Sequence, residues 1–330
     1  VVGGVPVRNP SPAFFANTFD STVVPYCLSN GDTSRYEAAG LGAPCGPGLK
    51  RSESNFAPMA NLQYDFSDDM TGYVSWSRGF KGGGFNGQAR REVSLEFEEE
   101  TVEALEVGFK STLFDGSMTA NVAAYLSNYE DFQTSQFVNQ VFIVGNAAEV
   151  ESKGIEADIL WQITDYLRFS LSAAYTDVQY EKFDTAACTS DQLMALSPFP
   201  TLRGPGLPPG PSARSLCVQD LGGEGVDLSP DFSGNISAIY NLPLTGMPFE
   251  AEFGVDVSYS GDYLLTQDLN PLLEQDAYAL VNLRAALLDK DERWELALLG
   301  QNVTDEIYLI SAGTVPAQNG TYFSAVNRGR

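Results

Sequence analysis

The chain has 330 residues, a formal net charge of −24 and no histidine. The acidic balance argues against a nucleic-acid partner, whose phosphates need a basic footprint. The missing histidine removes Ser-His-Asp and Cys-His triads, histidine-ligated zinc and histidine-ligated haem from this chain.

Hydrophobic residues at 43%, aromatics at 12% and 31 glycines suit strands and turns rather than disorder. Residues 1 to about 54 read as irregular, punctuated by Pro6, Pro10, Pro12, Pro25, Pro44 and Pro47. A strand is expected over Asn55 to Phe66, a turn at 67–70, and a second strand over Met70 to Phe80. That strand runs into Gly82, Gly83 and Gly84 and a charged loop ending at Glu100. From Thr101 to Leu113 the alternation is clean, with Leu105, Val107 and Phe109 on one face and Glu106, Gly108 and Lys110 on the other. An Asp-Gly turn at 114–116 leads to a strand with Met118, Ala120, Val122, Ala124 and Leu126 on one side.

The same pattern returns over about 154–163 and 167–176, after an expected loop at 132–140. A long Pro/Gly-rich loop is expected over 181–228, then strands near 230–240, 252–259, 277–288 and 292–302. Short connections (67–70, 114–116, 164–166, 242–248, 289–291) alternate with long ones near 81–100, 132–140, 181–228, 262–275 and 305–330. Short turns at one end and long loops at the other describe an up-and-down outer-membrane barrel, crossed by segments of ~9–11 residues. No run approaches the ~20 apolar residues of a membrane helix. A soluble sandwich also alternates, but has no reason to place every long loop at one end.

Cys27 and Cys45 form one local pair and Cys188 and Cys217 another, each inside a long irregular stretch. Neither pair is CxxC, so two loop disulfides in an oxidising compartment are expected rather than zinc or redox chemistry. Gly82, Gly84 and Gly87 satisfy GxGxxG, but a strand rather than a helix follows, so no dinucleotide site is expected. The stretch 222–227, GGEGVD, matches one calcium-binding nonapeptide unit, and such units work in tandem stacks. Carboxylates such as Glu106, Glu156, Asp158, Glu252 and Asp256 fall on polar strand faces, beside Lys110, Arg168 and Arg284. They read as the lining of a hydrated lumen rather than a hydrolytic pair. No catalytic residue, cofactor or metal site is expected.

The segment SRGFKGGGFN at 77–86 resembles the corresponding motif of TonB-dependent outer-membrane receptors. The resemblance continues in order through 61–80, 98–133, 151–177 and GQNVTDEIY at 300–308. It implies an all-β fold: about ten strands of a larger antiparallel transmembrane β-barrel, with the N-terminal plug domain and the last strand outside this chain. The implied location is the Gram-negative outer membrane, with membrane lipid as one partner. A TonB system, reached through the N-terminal part, is a second. A ferric siderophore or similar large nutrient is the implied ligand. Arg78, Lys81, Phe85, Asn86, Arg90 and Arg91 are the expected ligand contacts, because aromatic faces stack on planar ligands and guanidinium forks bind anionic groups. A passive porin is the alternative, and a soluble carbohydrate-active β-domain a further one.

Overall fold

The computed structural model describes residues 51–86, 96–138, 141–192, 217–315 and 321–328. The strands in chain order are β1 (Met59–Ser67), β2 (Met70–Lys81), β3 (Gly84–Phe85), β4 (Glu96–Phe97), β5 (Glu100–Leu113), β6 (Met118–Val138) and β7 (Val141–Thr164). They continue as β8 (Leu167–Lys182), β9 (Ala186–Ala187), β10 (Val218–Gln219), β11 (Phe232–Leu242), β12 (Phe249–Ser260) and β13 (Tyr263–Leu264). The last are β14 (Glu274–Gln275), β15 (Tyr278–Asp289), β16 (Glu295–Gly300), β17 (Ile307–Thr314) and β18 (Tyr322–Arg328). One antiparallel sheet runs β1-β2-β5-β6-β7-β8-β11-β12-β15-β16. Each strand therefore pairs with the next long strand of the chain, while β3–β4, β9–β10, β13–β14 and β17–β18 are separate small pairs in the long connections.

Period-two alternation carries across the register into two continuous faces. Leu62 lies opposite Val74, Val74 opposite Val107, Val107 opposite Ala124, Ala124 opposite Ile155, Ile155 opposite Tyr175, and Tyr175 opposite Phe232. Leu62, Val74, Val107, Ile155, Tyr175 and Phe232 are all exposed. In water such a belt would be far larger than the apolar patch a soluble monomer shows. In lipid it is the face that meets the acyl chains. A soluble sandwich would bury these side chains against a second sheet, and this sheet has none over it among the described residues. From Leu167 to Tyr175 the outward face of β8 runs roughly 27 Å at ~3.3 Å per residue. Tilted, it matches an apolar band about 25 Å tall. Aromatic pairs mark the short-turn end: Phe114 stacks on Trp161 and Phe249 packs on Trp294.

Three expectations need correction. The loop at 132–140 is instead the continuation of β6 and β7, paired as far as Val138 opposite Val141. A register shift between Tyr129 and Gln133, with Asp131 at φ 55°, breaks the alternation there and hides the strand from a periodicity reading. The stretch 181–228 is folded where it is described. β8 runs on to Lys182, and Tyr180, Phe183, Ala186 and Leu221 pack with Ala148 and Val150 from β7 into a small core beyond the membrane-length part of the sheet. The stretch 305–330 holds the β17–β18 hairpin.

Candidate functional site

The face opposite the apolar belt is polar and is cross-linked strand to strand. Tyr73 on β2 donates a 2.6 Å hydrogen bond to Glu106 on β5. Lys110 lies over the Tyr73 ring, 5.5 Å from its centre. Farther along, Tyr125 reaches Thr176 at 3.1 Å, and Ser172 donates to Asp158 at 2.6 Å. Asp256 accepts from Asn235 at 2.8 Å and from Asn282 at 3.1 Å. Arg284 joins Glu252 at 2.8 Å to Glu295 at 2.6 Å. Of the carboxylates read from the sequence as a lumen lining, Glu106, Asp158, Glu252 and Asp256 thus sit on one face, paired with hydroxyls, amides or guanidinium, and Glu156 shares that face. Asn61, Gln63, Thr71, Tyr73, Ser75, Glu106 and Lys110 line a concavity of about 390 Å³ on this face. Such a surface offers hydrogen bonds to a polar solute, and its charges carry neighbours that hold them in place.

Small residues make this packing possible. A Cβ on Gly108 would stand 2.5 Å from the Tyr73 ring, and one on Gly154 would stand 2.8 Å from the Tyr125 hydroxyl.

The long-loop end carries the rim. After β2 the chain folds down onto the β6–β7 extension. The Asn86 side-chain amide donates to the Val144 carbonyl at 2.7 Å and accepts from its N–H at 2.8 Å. Gln133 donates to the carbonyls of Gly82 and Glu98, both at 3.0 Å, and its own N–H reaches Glu100 at 2.7 Å. On the other side Arg51 binds Glu53, Glu96 at 2.7 Å and Glu98 at 2.5 Å, and Glu53 accepts the Gly83 N–H at 3.0 Å. The Arg51 guanidinium holds the Glu98 carboxyl below its ordinary range. The glycines serve close approach here. A Cβ on Gly83 would meet the Arg51 guanidinium at 2.7 Å, and one on Gly84 would meet the Phe97 ring at 2.7 Å. None of Gly82, Gly83 and Gly84 has a positive φ, so backbone freedom is not why they are glycine.

The six expected contact residues separate in space. Lys81 is exposed at the rim, 3.5 Å from Glu100. Phe85 is half-buried on β3, opposite Glu96. Asn86 is 7% exposed and is turned into the fold. Arg78 shares the strand face of Val74 and Trp76, away from Tyr73 and Ser75. Arg90 and Arg91 lie outside the described residues. Gln133 and Asn146, which also bind the rim backbone, escape a sequence reading because they sit beyond the β6 bulge.

Cys188 and Cys217 form a disulfide, with Cα atoms 5.7 Å apart. Cys27 and Cys45 lie outside the described residues. Beside the disulfide, Gln219 donates to the carbonyls of Ala187 and Asp268, both at 2.8 Å, and the Leu228 N–H reaches the Leu264 carbonyl at 2.8 Å. Tyr322 on β18 donates to Asp191 at 2.6 Å. The connections after β8, β12 and β16 thereby close into one loop cap. Within it burial, and then the neighbouring carboxylates, push Asp227 and Asp268 above the ordinary carboxylate range. Burial likewise pushes the Tyr180 hydroxyl up. Among the described residues no three carboxylates or thiols are grouped to hold a metal.

A family model for the TonB-dependent receptor-like β-barrel matches residues 29–303. The chain belongs to this family. Its fold is similar to that of the ferric yersiniabactin uptake receptor of Yersinia pestis (TM-score 0.61, 15% identity) and the siderophore receptor PiuA of Acinetobacter baumannii (TM-score 0.58, 15% identity). The ferric preacinetobactin receptor of Acinetobacter baumannii gives a TM-score of 0.54 at 14% identity. Each comparison covers 82% of this chain, but only 35%, 34% and 34% of the respective receptor. The chain therefore spans about a third of the solved receptors it matches. TonB-dependent receptors are Gram-negative outer-membrane proteins and transporters rather than enzymes, and the apolar belt fits that membrane. The ten-stranded sheet is a part of such a barrel.

Proposed function

We propose that the complete protein imports a large, scarce nutrient across the outer membrane at the expense of an inner-membrane TonB system, and that the nutrient is an iron-siderophore complex. The observation that carries the reading is the pairing of a family-matched barrel sheet with a cross-linked polar inner face, under loops folded into a cap. A passive pore has less need of such a cap. The structurally similar receptors named above, for ferric yersiniabactin and ferric preacinetobactin, support the iron ligand.

In this reading Lys81 and Phe85 meet the ligand at the rim, where Asn86 holds the chain in place, and Arg90 and Arg91 are further proposed contacts. The ligand then passes along the polar inner face past Tyr73, Glu106 and Lys110. The test is uptake of radiolabelled ferric siderophore by cells producing the full-length protein, with and without TonB. Uptake that requires TonB supports the proposal. Equal uptake in both strains overturns it in favour of a passive porin.

A further inference from the structure

We propose that Arg78 binds a phosphate of the outer-leaflet glycolipid, so that the upper ends of β2 and β5 form a lipid-headgroup site on the outer wall of the barrel. Register puts Arg78 on the lipid-facing side. Val74 lies opposite Val107, Trp76 opposite Leu105, Arg78 opposite Glu103 and Phe80 opposite Thr101. The outward row of β2 therefore reads valine, tryptophan, arginine, phenylalanine toward the long-loop end. Val74, Arg78 and Phe80 are exposed.

Depth places the guanidinium at the membrane boundary. From the short turn at Asp69 to Arg78 the chain runs roughly 30 Å at ~3.3 Å per residue. Tilted by about 40°, it rises about 23 Å, close to the top of an apolar band about 25 Å tall. Long loops lie on the external side of such barrels, so this boundary is the outer leaflet. Trp76 and Phe80 flank Arg78 on the same face, as aromatic side chains do where acyl chains give way to headgroups.

The outward face turns charged at this end, with Glu103, Glu151, Lys153 and Asp177. These four have partners. Glu103 accepts the Trp76 indole N–H at 2.7 Å, and Lys153 joins Glu151 at 2.8 Å to Asp177 at 3.4 Å. Arg78 differs. It stands directly opposite Glu103, yet the two form no ion pair, and among the described residues its guanidinium has no side-chain partner. Glu130, opposite Thr101 one row farther out, lies on the water side. A cation at the edge of hydrocarbon is stabilised by an anion beside it. The outer leaflet of the Gram-negative membrane supplies one, because its glycolipid headgroup is phosphorylated. A guanidinium matches phosphate with two parallel hydrogen bonds. The same placement takes Arg78 off the transport path, since the polar inner face with Tyr73 and Ser75 lies on the other side of β2.

The test uses the full-length protein in detergent, titrated with lipid A carrying both phosphates and with the same lipid stripped of them, and bound lipid is read by native mass spectrometry. Arg78→Ala is expected to weaken binding of phosphorylated lipid A about fivefold, the effect of one cation at an anionic lipid surface. It is expected to leave binding of the stripped lipid unchanged, and Arg78→Lys is expected to fall between wild type and Arg78→Ala. Unchanged binding of phosphorylated lipid A by Arg78→Ala overturns the site. An equal loss for both lipids also overturns it, in favour of simple packing against acyl chains. A second arm keeps Arg78 in place. Photoreactive benzoylphenylalanine replaces Phe80 in living cells, and the same residue replaces Tyr73 on the inner face as a control. An adduct with lipopolysaccharide from position 80 and none from position 73 supports the proposal. An adduct with a protein at position 80, or no adduct there, overturns it. None of these outcomes depends on TonB or on the transported ligand.

Discussion

Asn86 and Val144 are joined by two hydrogen bonds, 2.7 and 2.8 Å, in which a side-chain amide takes the place of a neighbouring strand. The pair fastens the end of the glycine-rich loop to the hairpin that rises beside it. Asn86→Ala would leave the N–H and carbonyl of Val144 without this partner, at a local cost of about 1–3 kcal/mol. Hydrogen exchange is expected to accelerate at Val144 and across 80–86 while the global melting temperature stays nearly unchanged. Unchanged exchange at Val144 would show that the contact does not hold the loop.

Tyr73, Gly108 and Glu106 form a second coupled group. A methyl at Gly108 collides with the Tyr73 ring and displaces the hydroxyl from Glu106. Gly108→Ala is expected to cost about 1–3 kcal/mol, as overpacking does. In a double-mutant cycle Tyr73→Ala should remove most of that cost, giving a coupling of about 1 kcal/mol or more. Additive effects would mean that the ring does not occupy the space over Gly108.

The Cys188–Cys217 disulfide closes a loop with a sequence separation of 29. In the chain-entropy model a loop of that size contributes about 3–4 kcal/mol to the segment it closes. Cys188→Ser is expected to make the cap sensitive to limited proteolysis between β8 and β11 while the barrel strands stay protected. Non-reducing peptide mapping checks the bond directly, and the same map tests the pairing of Cys27 with Cys45.

Asp227 and Asp268 give the cap a pH dependence. Burial raises both carboxyls, so the closed cap holds their protons more tightly than the open one. This contribution is fully present below the ordinary carboxylate value near ~4 and is lost as the pH rises through the raised values. Cap amides should be better protected at about pH 5 than at about pH 8 once intrinsic exchange rates are removed. Asp227→Asn with Asp268→Asn should abolish the difference. Protection that falls toward acid would reverse the sign and reject the assignment.

Lys81→Ala removes an exposed cation whose pairing with Glu100 is long. Stability should change by less than about 1 kcal/mol. Uptake affinity should fall severalfold if Lys81 meets an anionic ligand. A variant indistinguishable from wild type in saturation uptake would move the rim contact elsewhere.

The legible part of the fold is the part where alternation is unbroken. The faces of β5 could be assigned from Leu105, Val107 and Phe109 against Glu106 and Lys110, because side chains of one strand must alternate whatever the strand pairs with. Alternation breaks at Asp131, where an extra residue shifts the register, so by periodicity alone the top of β6 and β7 looks like a loop. At the site, a rim motif was visible but the roles of its residues were not. Arg78 and Lys81 are three residues apart, yet Arg78 falls on the face of the apolar belt. Asn86 looked like a ligand contact and is spent on Val144.

By itself the sequence determined the strand class, the two faces, the rhythm of short turns and long loops, and the family resemblance. All of these rest on local periodicity and on motifs read in order. Only the tertiary structure decided which distant residues meet. Arg51 reaches Glu96 and Glu98, Gln219 reaches Asp268, Tyr322 reaches Asp191, and Gly83 and Gly84 lie under Arg51 and Phe97. Such contacts join segments far apart in the chain, and no period or spacing encodes them. They depend on where the sheet register places each strand end and on how the connecting loops pack there.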